Sequence, residues 1–386
     1  VKSTASLPQQ LHRFLLPQLA KMIETLREFT LAESPSTEKA AADRCAELIA
    51  AEWRKRPVEV ALVPQSSRGN HIRIVWRPET AAPKFQLLVL GHYDTVYASG
   101  TLAKMPFRTD TTKVFGPGVF DMKAGIVQAL FALDALLATK APMSKQIVFL
   151  WTSDEEIGSE SSRELLESEA KRSDAVFVLE PSLGPKGSLK TARKGVGEAE
   201  LIVQGKASHA GLAPEKGVNA VHELSMQIAR ILKWNDIKRG VTINADVIKG
   251  GTRVNVIAEH AKATLDLRAL KSSDMRALEK KLKSLKPILR GAKLEVSGGF
   301  SRVPLERKLS AALFSKAQSL AKEMGIRLSE ATAGGGSDGN LTAALGIPTL
   351  DGLGAVGDGA HSAKEHIIAT KMPERAAVLA ALLAAT

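Results

Sequence analysis

Three short runs constrain this chain more than anything else in it: Gln86–Leu90 (QLLVL), Gln146–Trp151 (QIVFLW) and Ala175–Leu179 (AVFVL). Each is an apolar stretch of strand length, without the polar alternation of a strand that shows one face to water. Helical patterns separate them, notably the apolar segment Met122–Leu137 just after Asp121. Strands buried on both faces and alternating with helices specify an α/β fold, a mostly parallel sheet flanked by helices. Ionisable residues follow each run: His92 and Asp94 after the first, Asp154-Glu155-Glu156 after the second, Glu180 after the third. Ligands of open α/β sheets bind beyond the carboxyl ends of the strands. The chemistry of this chain is therefore expected along that edge.

The remaining sequence arranges itself around this frame. Residues from about Leu11 to Trp53 read as helical, and Ser36-Thr37-Glu38 resembles a capped helix start. Between 192 and 303 the texture changes to strand (198–203), helix (218–232), strands (242–248 and 261–268), helix (273–285) and strand (293–297). That β-α-β-β-α-β order predicts an inserted ferredoxin-like α+β domain at 192–303. It would split a catalytic domain into residues 1–191 and 304–386. A helix at Ala311–Met324, the Gly-rich loop Gly334–Asn340, a short strand near Pro348–Leu350 and a final helix from about Pro373 complete the second part.

Composition removes several classes. Cys45 is the single cysteine, so an intrachain disulfide and a multi-cysteine zinc site are excluded and any metal falls to His and carboxylates. The 53 Lys+Arg exceed the 41 Asp+Glu by the net charge of +12. Yet aromatic residues make up only 4% of the chain, and the basic residues are scattered. The densest basic stretch, Lys280–Arg290, carries apolar residues at helical spacing and reads as the solvated face of a helix. No nucleic-acid partner is expected, and no membrane either, because the longest apolar run, Ala376–Ala385, is too short to span a bilayer. No signal peptide is visible, since His12, Arg13, Pro17 and Gln18 interrupt Leu11–Ala20. The chain begins at Val1 rather than Met, and cytoplasm and periplasm both stay open.

Taken singly, the polar motifs have plain structural readings. Asp121 suits a helix cap, the acids at 154–156 suit a first helical turn, and Glu180 and His361 suit solvated loops. Together, two His and several carboxylates at one sheet edge form a hard N/O ligand set for zinc, cobalt or manganese, paired across a shared carboxylate. One metal would leave carboxylates unexplained. The His92-x-Asp94 spacing suits an imidazole ligand whose other ring nitrogen donates to a carboxylate.

The segments GHYDTV (91–96), GPGVFDMKAG (116–125), TSDEEIGS (152–159), LEPS (179–182), SHAGLAPEKGVNA (208–220), GGGSD (334–338) and HSAKE (361–365) occur in that order. They resemble the dinuclear-zinc exopeptidase family of glutamate carboxypeptidase, acetylornithine deacetylase and succinyl-diaminopimelate desuccinylase, over nearly the whole chain. The resemblance implies two zinc ions per subunit, with cobalt or manganese as alternatives. Asp121 would bridge them, His92 and Glu180 completing one and Glu156 and His361 the other. It also implies that Asp94 orients His92 and that Glu155 is the general base toward a metal-activated water. His209 would stabilise the oxyanion in the partner's active site of a homodimer joined through the inserted domain. Asn255, Arg268 and Gly336 would contact substrate, and the peptide bond after Asp121 is expected to be cis. The implied reaction releases a C-terminal amino acid, glutamate foremost, from a peptide or N-acyl conjugate, and the 208–220 segment reads closest to the glutamate carboxypeptidase branch. The alternative is an N-acyl-amino-acid deacylase of the acetylornithine or succinyl-diaminopimelate type. Ala124 and Gly339 depart from the family's usual Gly and Ala, at positions not expected to touch a metal.

Overall fold

The computed structural model of the chain describes residues 5–79 and 85–386; Val1 lies outside them. The described residues form two compact units. One comprises the chain up to Thr191 with Arg307–Thr332 and Ser337–Thr386, and the other Ala192–Glu306 with Ala333–Gly336.

The first unit is built on a six-stranded sheet in the order Glu59–Val63, His71–Trp76, Gln146–Thr152, Gln86–His92, Ala175–Val178 and Thr349–Leu350. The last four strands run parallel. The first two add as an antiparallel ribbon on one edge. Side chains alternate along the parallel strands, and both rows are buried. Leu87, Val89, Ile147, Phe149, Trp151 and Phe177 join the larger core with Trp53 and the helix Ala124–Ala138. Leu88, Leu90, Val148, Leu150, Val176 and Val178 pack against Leu166, Ala170 and Leu341 on the other face. Burial on both faces explains the unbroken apolar runs, and the mixed α/β fold with helices flanking a central sheet is the one expected.

Several elements differ in detail from the sequence reading. The N-terminal region is helical as Leu7–Leu15, Leu19–Leu31 and Lys39–Trp53. The apolar helix starts at Ala124, because Asp121 and Met122 have non-helical backbone angles and an irregular turn fills Val119–Lys123. The basic stretch at 280–290 is helical only to Lys283. Pro287 cannot continue a helix, since its ring would clash with the carbonyl four residues back.

The second unit holds a four-stranded antiparallel sheet ordered Thr242–Gly250, His260–Ala269, Gly195–Gln204 and Lys293–Arg302. The helices Ala220–Ile231 and Ser272–Lys283 join it in chain order. Its core gathers Leu201, Val203, Leu224, Ile231, Leu265, Leu267, Leu278 and Leu282.

Candidate metal centre

The carboxyl ends of three neighbouring strands deliver the site. In register, His92 lies opposite Thr152, and Leu90 opposite Val178, so the residues just past these positions emerge together. His92 closes its own strand, Glu156 lies in the turn Glu155–Ile157, and Glu180 follows Val178 by two residues. Asp121 comes from the irregular turn before the buried helix, and the Asp121–Met122 peptide is cis. Gly118 enters this turn at φ +73°, where a Cβ would lie 2.6 Å from Thr95 Cγ2. Only glycine meets both conditions.

His92 Nε2 lies 3.4 Å from Asp121 Oδ1 and 3.5 Å from Glu180 Oε1. His361 Nε2 lies 3.4 Å from Asp121 Oδ2 and 3.1 Å from Glu156 Oε2. The two oxygens of Asp121 thus face different imidazoles. His92, Asp121 and Glu180 form one potential ligand group, and Asp121, Glu156 and His361 the other. Donors about 2.0–2.2 Å from a tetrahedral cation are about 3.4 Å apart, which matches these separations. Hydrogen bonding does not explain the inner pair, because His92 Nε2 and Asp121 Oδ1 are both buried without a hydrogen-bond partner. The residues therefore fit a pair of cations sharing one carboxylate.

Asp94 is the hub beneath them. Its side chain is fully buried, with Oδ1 3.3 Å from His92 Nδ1, which also lies 3.1 Å from the Asp94 backbone carbonyl. It also accepts from the Glu155 and Glu156 amides, both at 3.3 Å, and from Ser36 Oγ at 2.7 Å. Ser36 therefore does not cap the following helix as expected, because its hydroxyl is committed to Asp94 58 positions along the chain. Asp154 is equally structural, accepting from the Ser161 amide at 2.6 Å and its hydroxyl at 2.8 Å. Adjacent acids in one turn thus serve different ends.

The charges respond to this crowding. Burial pushes the His92 imidazole down, but Asp121, Asp94 and Glu180 outweigh it and hold its pKa well above the ordinary value. Burial likewise opposes ionisation of Asp121, yet His361 and His92 draw it far below the usual carboxylate range. At Glu156 burial wins and the pKa rises to about 7. Contact with Asp121 lifts His361 to about 9. A bound cation would compete with the protons that His92, His361 and Glu156 hold.

With this geometry in view, the sequence profile of Peptidase family M20/M25/M40 matches residues 88–385. The chain belongs to this family. As an M20 protein it is a metal-dependent hydrolase of the peptidase and deacylase kind. Carboxypeptidase G2 of Pseudomonas sp. (strain RS-16) is 35% identical over 306 residues, 77% of this chain and 73% of that protein. Succinyl-diaminopimelate desuccinylase of Paraburkholderia xenovorans (strain LB400) is 29% identical over 272 residues, 66% of this chain and 70% of that protein. Among solved structures, aminopeptidase PepT from Bacillus cereus ATCC 10987 has a TM-score of 0.81 at 22% identity. That alignment covers 95% of this chain and 98% of PepT.

The sequence-selected residues fall into two groups. His92, Asp94, Asp121, Glu155, Glu156, Glu180 and His361 belong to the first unit, and His209, Asn255, Arg268 and Gly336 to the second. Within the second unit, His209 is exposed and its Nδ1 accepts from the Gly211 and Leu212 amides, both at 3.1 Å, so its ring hydrogen sits on Nε2. The Asn255 carbonyl accepts from the Ala210 amide at 2.9 Å. Arg268 is held by Asp266 through Nε and Nη2, at 2.7–2.9 Å. The Gly336 carbonyl accepts from Arg193 Nη1 at 3.0 Å. Sequence reasoning missed the supports: Ser36, Tyr97, and the buried Lys123, whose Nζ donates to the carbonyls of Phe29 and Ala32 at 2.9 Å each.

Proposed function

We propose that the chain is a dizinc exopeptidase that cleaves an amide bond to release a C-terminal amino acid, glutamate foremost, from a peptide or N-acyl conjugate. The observation that carries the reading is Asp121, with one oxygen toward His92 and the other toward His361. In this reading Asp121 bridges, His92 and Glu180 complete one metal position, and Glu156 and His361 the other. Cobalt or manganese would suit the same N/O donors. Bound there, the cation pair supplies Lewis acidity that polarises the scissile carbonyl and acidifies water.

The chain's own residues do the rest. Glu155 is half-buried beside Glu156, with its amide fixed by Asp94, and acts as the base that takes a proton from water and returns it to the leaving nitrogen. Asp94 holds the His92 ring, accepting at Nδ1 and keeping Nε2 for metal. His209 presents Nε2–H, the donor form an oxyanion needs. We assign it to the partner's site in a homodimer formed through the inserted unit. Asp266 fixes the plane of Arg268, which with Asn255 would receive the substrate's carboxylate end, while Gly336 would contact the substrate.

The similarity to carboxypeptidase G2 favours carboxypeptidase action over the deacylase alternative. The desuccinylase similarity keeps the alternative specific. A panel on the zinc-loaded chain decides between them. Turnover of N-acyl-glutamate or glutamyl dipeptides well above N-succinyl-diaminopimelate and N-acetylornithine is expected, and the reverse order would establish the deacylase.

A further inference from the structure

Glu365 has no part in the cage described above, yet it is completely buried beside it. Its position follows from backbone pairing. The strand His366–Ile368 runs antiparallel to Lys113–Phe115, with His366 opposite Phe115. That register sets residue 365 beside the turn that leads to Asp121. There Oε1 accepts from the Phe120 amide at 2.8 Å and the Asp121 amide at 3.1 Å. Oε2 accepts from the Gly118 amide at 3.2 Å and from Tyr97 Oη–H at 2.6 Å. The Ser362 carbonyl lies 3.1 Å from the same hydroxyl.

These contacts join three loops. Tyr97 ends the segment that carries His92 and Asp94, the amides belong to the turn of Asp121, and Glu365 itself follows His361 by four residues. We propose that Glu365 is a positioning residue of the metal centre, a buried carboxylate that ties the loops of His92, Asp121 and His361 into one cage without touching a cation. The inference rests on the ligand assignment made above.

The chemistry requires a carboxylate rather than an amide of the same shape. All four partners are donors, and an ionised carboxylate offers only acceptors. In Glu365→Gln an NH2 group would face at least one backbone N–H that cannot turn away. Displacing the partners that orient metal ligands typically costs about 10–100-fold in metal affinity.

The test is titration of cobalt(II) into the metal-free full chain, read by heat and by visible absorption. The unaltered chain is expected to take up two Co2+. E365Q, with unchanged far-ultraviolet circular dichroism, should bind at least one of them about 10–100-fold more weakly and show an altered d–d spectrum. Y97F removes one donor and should weaken binding about 3-fold. If E365Q does not fold, Y97F decides alone. Two Co2+ bound by either folded variant with unaltered affinity and spectrum overturns the role of Glu365. Fewer than two Co2+ on the unaltered chain overturns the cage, and this inference with it.

Discussion

The two halves of the cage share Asp121 but face water differently. On one side the His92 side chain is 2% exposed, seated at a strand end, its second nitrogen against a fully buried carboxylate. On the other the His361 side chain is 50% exposed, in a loop where its own backbone sits at φ +60°. The imidazoles carry the difference, since the Glu180 and Glu156 side chains are both largely buried: the inner ring is desolvated at a strand end, and the outer ring is open to water in a loop. A cation gains more from donors already stripped of water and fixed in place than from donors it must order. The inner position should therefore hold its metal tightly and the outer one exchange it.

The largest effect belongs to neither half. Glu155→Ala should lower kcat by at least about 10²–10⁴-fold while both metals stay bound, because a base is lost and no ligand is. Metal analysis alongside turnover checks this; near-normal activity in a fully loaded variant would remove Glu155 from its role.

Next come the proposed ligands. His92→Ala should weaken metal binding by at least about 100-fold and leave the outer position unable to fill normally, since the Asp121 turn loses its buried partner. His361→Ala should remove one cation and spare the other. Equilibrium dialysis against zinc distinguishes them: equal losses in the two variants would erase the inner–outer difference. Asp94→Asn should fall below either, at about 10–100-fold, through the orientation of His92 and of the Glu155–Glu156 turn, whose amides the carboxylate accepts.

This ordering also separates what was legible in the chain from what was not. His92 and Glu180 stand out because parallel strands buried on both faces are unbroken apolar runs, so the first charged residue after them marks the sheet edge. The edge ribbon Glu59–Val63 and His71–Trp76 escaped because these short runs, with Glu59 opening one and Arg73 interrupting the other, lack the unbroken apolar pattern of the parallel strands. Gly334–Asn340 reads as a loop, yet a helix starts within it at Asp338, capped by Ser337 accepting from the Gly339 amide. Ser36 and Glu365 were illegible for a different reason. Ser36 looks like a cap because local competition is all a sequence shows, whereas its partner is distant. Glu365 takes its meaning from amides more than 240 positions away. Donors to a metal announce themselves by residue type; the groups that hold those donors do so only through tertiary contact.

The smallest effect is a pH dependence, and it too divides the cage. In the metal-free chain His361 has its pKa raised from 6.5 to about 9 and Glu156 from 4.5 to about 7. Both bind protons more tightly folded than unfolded. The stability from His361 is complete below about 6.5 and lost as pH rises through 9, and that from Glu156 is complete below about 4.5 and lost through 7. Asp121, whose pKa is lowered, acts oppositely and only in acid, below its ordinary 3.8. The melting temperature of the metal-free chain should therefore fall between about pH 5 and 9. The zinc-loaded chain should not follow it, since bound cations keep the carboxylates ionised and the imidazoles neutral. Loading near pH 7.5 should release protons, seen as a calorimetric heat that changes with the buffer's ionisation enthalpy. In metal-free His361→Ala the difference from the zinc-loaded protein should shrink mainly above pH 7, the window of His361. An undiminished difference there would move the titration to His92, whose raised pKa lies in the buried half, and would make the inner position the one that protons contest.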